Sequence, residues 1–279
     1  KTARMLQRMP VPGYLGESKP WGNVGTMSNR GAEMEISYRY SIGDFNFSVG
    51  GNVTYVNTIL VNAGNETGVV ETASYHQMGT IARGQNGMVY PYFYGYKTDG
   101  VFQNWDEVYG SPMHDNSDAQ KLPGDYYIVD FNADGVIDSK DSAPYGFTGT
   151  PENTYNATIG VEYKGFSAFV QLYGVTNVTR DVPLSSFGSK LNTVYNVGEW
   201  WSALTPDADV VVPAFNRTPS YNDATQYLFD GSYFRVKNLE VAYTVYGGWA
   251  KKIGLSSLKI YLNGNNLWLW TRMPDDRES

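Results

Sequence analysis

The sequence has 279 residues, 21 basic against 28 acidic side chains (a formal net charge of −7), and no cysteine. Disulfide frameworks, thiolate metal sites and thiol nucleophiles are therefore excluded. The acidic balance argues against nucleic acid as a partner, and the two histidines, His76 and His114, make a multi-His zinc site improbable.

Twenty-three Tyr, 12 Phe, 7 Trp and 30 Gly favour strands and turns over helices. No run approaches about 18 consecutive apolar residues, so no membrane helix is expected. A membrane β-barrel escapes that test because its strands alternate. The opening stretch KTARMLQRMPVPGYLGESKP has no apolar signal-peptide core and starts as if in mid-sequence, so the chain reads as a piece of a longer protein.

The first clear element begins at Gly31. Ala32, Met34, Ile36, Tyr38 and Tyr40 alternate with Glu33, Glu35, Ser37 and Arg39, a period of two. SIGD (Ser41 to Asp44) supplies a turn, and Phe45, Phe47, Val49, Gly51, Val53 and Tyr55 alternate with polar or small neighbours after it. Two strands of about ten residues or more, each with one apolar and one polar face, match tilted membrane crossings. On that reading Met34, Ile36, Tyr38, Phe47 and Val49 meet lipid, while Glu35, Ser37, Ser48 and Asn52 meet a wet lumen.

The same plan recurs. Asn153 to Asn177 reads as strand, tight turn at Lys164-Gly165, and strand; Tyr233 to Val245 and Leu258 to Trp270 are further alternating runs. Between them lie long polar excursions at 61–152 and 179–230, far longer than ordinary connections. Short turns alternating with long loops describe an outer-membrane barrel with extracellular loops. A soluble β-sandwich with long loops is the alternative.

The first excursion contains DFNADGVIDSKD, Asp130 to Asp141. On a twelve-position calcium template, Asp130, Asn132 and Asp134 fall at positions one, three and five, and Gly135 falls at the sharp turn. Val136 offers its backbone carbonyl at seven, Asp138 sits at nine, and Asp141 closes at twelve in place of the usual Glu. Calcium needs six to eight hard oxygen ligands, and a tight loop can point alternate residues inward to supply them. An Asx-rich turn that binds nothing is the bland alternative. The flanks GDYYIV and SAPYGFTGTP are strand-like and non-helical, so a bound Ca2+ would brace a long loop and move no helices.

No nucleophile elbow, phosphate loop or zinc helix occurs, and no catalytic residue is assigned. Among the aromatic residues of the excursions, Tyr92, Tyr94, Trp105, Trp200 and Trp201 are candidate contacts for a ligand or partner. Loop packing or an interfacial girdle would equally account for them.

Five ordered blocks carry a family resemblance: NVGTMSNRGAEMEISY, FYGYKTDGVFQNWDEV, PGDYYIVDFNADGVIDSKD, YNATIGVEYKGFSAFVQLYG and LKIYLNGNNLWLWT. Together they resemble the C-terminal half of the barrel in SusC/RagA-like TonB-dependent outer-membrane transporters. The resemblance implies an all-β fold, namely an antiparallel transmembrane β-barrel portion with long extracellular loops. It would form part of a barrel of about 22 strands, of which roughly seven to nine lie here. A plug and the TonB-coupling segment would precede Lys1, and a last strand would follow the final run. The resemblance further implies TonB-dependent import of an oligomeric nutrient, either oligosaccharide or peptide, across the bacterial outer membrane. The partners would be TonB, a SusD-like surface lipoprotein and outer-membrane lipid, with no enzymatic chemistry. The competing expectation is a calcium-braced extracellular protein that binds glycans or adheres to surfaces.

Overall fold

The structure, a computed structural model, describes residues 2–8, 20–65, 67–71, 81–114, 121–181, 201–204, 228–248, 252 and 254–273. In chain order, β1 (Thr2–Arg8), β2 (Trp21–Ile42) and β3 (Phe45–Asn62) come first. The first excursion holds β4 (Val69–Glu71), β5 (Ile81–Gln85), β6 (Tyr92–Tyr96), β7 (Thr98–Val101), helix α1 (Trp105–Gly110), β8 (Met113–His114), β9 (Tyr126–Ile128), β10 (Val136–Ile137) and β11 (Ser142–Tyr145). Then follow β12 (Asn153–Tyr163) and β13 (Phe166–Thr176), the short β14 (Thr179–Asp181) and β15 (Leu228–Asp230), and finally β16 (Tyr233–Tyr246) and β17 (Ser257–Thr271).

Seven of these form one antiparallel sheet in the order β1-β2-β3-β12-β13-β16-β17, with β1 and β17 at its open edges. The turns that join its hairpins are tight for chemical reasons. At Lys164-Gly165 both residues have positive φ, 45° and 90°, which matches the strand twist in a two-residue hairpin loop. At Gly43-Asp44, Gly43 takes φ 56° without the Cβ penalty another residue would meet.

The strand boundaries around the second hairpin and the last two strands fall within about a residue of the sequence reading. The first hairpin is longer than expected: β2 has 22 residues and β3 has 18. The extra part of β2 begins Trp-Gly-Asn-Val-Gly and shows no clean alternation. It is held by pairing with β1, with Thr2 opposite Met27 and Arg8 opposite Trp21.

The chain divides into two compact units. One comprises Asn29–Asn57, Thr150–Val178 and Gly231–Ser279, the greater part of the large sheet. The other comprises Lys1–Ser28, Thr58–Gly149 and Thr179–Asp230. Within this second unit the long excursion at 61–152 carries short strands of its own. There β11, β6, β5 and β4 make a four-stranded sheet, while β7 pairs with β9 and β8 with β10. Buried Tyr126, Ile128 and Ile137 pack with Tyr96 and Val101 as a small core, and Phe102 lies edge-on to Tyr127 at 5.5 Å. Apolar burial of this kind is what allows a long excursion to hold one conformation.

Candidate functional site

The large sheet has two chemically different faces, and the register fixes which residues share each. On one face Val49, Ile159, Val170 and Leu239 lie opposite one another across four strands. The next row is Phe47, Val161, Ala168, Val241 and Leu262. Towards the short turns this face ends in Tyr163, Phe166, Tyr243 and Ile260, with the Phe166 and Tyr243 rings 4.4 Å apart. Towards the long excursions it ends in Tyr155, Phe234 and Trp270, with Trp268 edge-on to Phe234.

From Tyr163 to Tyr155 is about 27 Å along the strand at ~3.4 Å per residue, or about 20 Å after the usual tilt. That is of the order of the ~25 Å apolar band of outer-membrane barrels, with an aromatic girdle at each margin. The side chains of this face remain open: Ile36, Ile159, Val241 and Ile260 are all exposed large hydrophobics. The two-residue turn at Gly43-Asp44 puts Met34, Ile36 and Tyr38 on the same face as Phe47 and Val49. Glu35, Ser37, Ser48 and Asn52 fall on the other face, as expected.

The opposite face is polar. Asn52 stands opposite Asn156, Gln171 opposite Asn238, and Asn238 opposite Asn265. The Gln171 amide donates to Asn156 at 2.9 Å, and the Asn238 amide donates to Gln171 at 3.3 Å. Nearer the short turns, Lys259 Nζ donates to Glu240 at 2.8 Å. Such an amide ladder satisfies its own hydrogen-bonding groups while presenting a wet surface. The sequence reading missed it beyond Asn52, although each member occupies a polar position of the alternation.

In the second unit, the acidic loop closes through its own backbone. Asp130 accepts the N–H groups of Ala133 and Gly135 at 2.7 and 2.8 Å, and Asp134 accepts that of Val136 at 3.0 Å. The amide of Asn132 both accepts from Asp134 N–H and donates to the Asp134 carboxylate. Asp138 caps the short 3-10 turn Ser139–Asp141. Fully buried Asp141 accepts N–H bonds from Phe131 at 2.9 Å and Asp138 at 2.8 Å. Gly135, at φ 84°, supplies the sharp bend, and Val136 pairs in parallel with Met113.

The Lys140 ammonium lies 3.1 Å from Asp138 and 3.4 Å from Asp134. The Val136 N–H and the Asn132 amide hold the Asp134 carboxyl below the ordinary aspartate value. Its bond to Asp138, with the charge behind it, raises Lys140. Among the described residues no three acidic or histidine side chains converge as a ready-made metal cage.

The aromatic candidates divide. Tyr92 is 5% exposed within the four-stranded sheet and its hydroxyl donates to Gln85. Trp201 is 8% exposed and its indole N–H donates to Gln103 at 2.9 Å. Both side chains are buried and hydrogen-bonded within the second unit, which fits the loop-packing alternative for them. Tyr94 is half-buried in β6, with its ring edge-on to Tyr92. Trp105 is exposed and stacks on Tyr109 at 5.7 Å, so it remains available to a ligand. Trp200 and His76 lie outside the described residues.

No protein-family profile matches the chain. It is 27% identical over 282 residues to TonB-dependent receptor P3 of Formosa agariphila, covering 98% of this chain and 27% of that protein. Against TonB-dependent receptor P26 of the same organism the identity is 22% over 299 residues, covering 97% and 27%. Both alignments run through the two-faced strands and the excursions alike. The chain is thus similar along nearly its whole length to two TonB-dependent receptors. Two solved structures share its fold. The RagAB peptide transporter superposes with a TM-score of 0.68 at 19% identity, covering 97% of this chain and 28% of that one. The RagAB peptide importer in the 'open-open' state gives 0.69, also at 19%, covering 98% and 28%. The chain thus spans just over a quarter of the length of the proteins it matches. The two curated relatives are named as receptors.

Proposed function

We propose that the segment is barrel wall in a TonB-dependent importer of an oligomeric nutrient, peptide or glycan, working with a SusD-like surface lipoprotein and energised through TonB. The observation that carries this reading is the two-faced sheet, apolar and girdled on one side and hydrogen-bonded amide on the other. A sheet in lipid must bury its backbone groups in the ladder and show hydrocarbon outward. A solute path needs the opposite chemistry inward. The likeness to a peptide transporter favours an oligomeric cargo of peptide size. On this reading the folded excursions face the cell exterior, where the exposed Trp105–Tyr109 pair is available to the lipoprotein or the cargo.

The test is uptake by cells expressing the full-length receptor and its lipoprotein, with and without functional TonB, on defined peptide and oligosaccharide pools. Depletion of an oligomer that requires both receptor and TonB supports import. Uptake independent of TonB, or depletion of none, contradicts it.

We also propose that the acidic loop takes up Ca2+ as a structural brace. Its donors are hard oxygens from Asp130, Asn132, Asp134, Asp138 and Asp141 with the Val136 carbonyl, and a cation, the Lys140 ammonium, already sits against two of them. A carboxylate oxygen bonded to one N–H retains a second lone pair. Calorimetry on the full-length receptor and on Asp134→Ala tests this. Heat of Ca2+ binding in the first and its loss in the second are expected, and equal heats in both would contradict the brace.

A further inference from the structure

Two cations on the polar face lack, among the described residues, the carboxylate partner that Lys259 has there. Lys259 is paired with Glu240 at 2.8 Å. Arg235 and Lys237, on the same strand as that glutamate, have no carboxylate partner among the described residues, in a chain with seven more acidic than basic side chains. Both instead lie against tyrosine rings. The Arg235 guanidinium is 4.5 Å from the Tyr233 centroid and 5.9 Å from that of Tyr173, and Lys237 Nζ is 4.9 Å from the Tyr173 centroid.

The backbone explains how two cations reach one ring. Register passes from Leu172 opposite Val236 to Gln171 opposite Asn238, so Lys237 is the inserted residue of a bulge. A bulge re-aims a side chain out of the strict alternation, and here it brings Lys237 to the ring that Arg235 already covers. On β17, Asn266 is the matching irregularity at φ 52°, and its Oδ1 accepts from Arg235 Nη1 at 3.4 Å. Arg235 Nε is buried and has no hydrogen-bond partner among the described residues. Such a donor marks a place where an acceptor is missing.

We infer that Tyr173, Tyr233, Arg235, Lys237 and Asn266 form an anion-binding station on the lumen wall, for a carboxylate carried by the transported oligomer. This rests on the import reading above. Position selects the cargo as occupant. Tyr233 opens β16 straight after the long excursion, whereas the short-turn end at Tyr246 is 13 residues further, ~44 Å along the strand. A solute arriving from the excursion side meets the station early. The tyrosine faces offer a stacking surface beside the charges, which suits a planar carboxylate on a sugar or peptide unit.

The test uses the full-length receptor purified with its lipoprotein, and Arg235→Gln/Lys237→Gln. Fluorescent oligogalacturonate, oligoglutamate and a length-matched neutral galacto-oligomer serve as probes. Wild type is expected to bind at least one anionic probe, the arm that binds identifying glycan or peptide as the source. The double variant should bind that probe at least tenfold more weakly, with its salt dependence flattened and the neutral probe unaffected. Arg235→Lys/Lys237→Arg should retain most of the affinity, and heat-modifiable migration reports that each variant is folded. No anionic binding by wild type overturns the station, as does unchanged affinity in the double variant. Equal loss for the neutral probe also overturns it. A variant that loses thermal stability while binding every probe normally would assign the cations to an acidic side chain elsewhere in the barrel, and likewise overturn it. Failure of TonB-dependent uptake in wild type would instead sink the import reading.

Discussion

Asp141 shows how a single carboxylate can close a loop. Its two oxygens hold the amides of Phe131 and Asp138 in a fully buried position. Removing it strands both donors, at about 1–3 kcal/mol each. Asp141→Ala is therefore expected to open the stretch 130–141 to limited proteolysis in the full-length protein, while the exposed Lys140→Ala leaves it resistant. Asp134 adds a pH dependence. Its folded value is lowered, so the stabilisation it gives is complete above the ordinary 3.8 and is lost as pH falls through the lowered value. Protection of the Val136 amide against hydrogen exchange should persist to about that pH and then collapse in more acidic solution. Protection lost already near neutral pH would contradict the hydrogen-bonded loop.

At the scale of elements, the hairpin turns carry a sharper expectation. Gly165 has φ 90°, and a Cβ there would lie 2.5 Å from the Thr244 carbonyl. Gly43 also has positive φ but faces open space. Gly165→Val should lower the folded, heat-modifiable fraction markedly, whereas Gly43→Asn should be tolerated, since Asn accepts the left-handed region. The Lys164-Gly165 hairpin was legible because strict alternation broke at a turn pair. So were the last two strands. The first ten residues of β2 were not, because their pairing with β1 depends on contacts that local sequence does not encode. The sheet folded from the first excursion was hidden for a similar reason: strands of two to five residues leave too few positions to show a period. The burial of Tyr92 and Trp201 was not legible either, because it depends on partners elsewhere in the chain. The indole of Trp201 meets Gln103, 98 residues away. The bulge at Lys237 was equally invisible, since an inserted residue reads as one more polar position.

At the scale of the whole molecule, the proposed import requires that the apolar face of the sheet meet lipid. Val170 lies midway between the two aromatic rows, and Gln171 beside it points to the amide face. Val170→Arg should cost about 2–4 kcal/mol of folding into a bilayer, measured by denaturant titration in lipid vesicles, while Gln171→Arg should cost far less. The most direct measurement is spin-label accessibility in outer membranes carrying the full-length protein, with labels placed singly at Ile159, Val170, Val241, Asn156, Gln171 and Asn238. The first three should collide mainly with oxygen dissolved in lipid, and the last three mainly with a water-soluble nickel chelate. Chelate accessibility at Ile159, Val170 and Val241 equal to that at Asn156, Gln171 and Asn238 would contradict a membrane-facing wall.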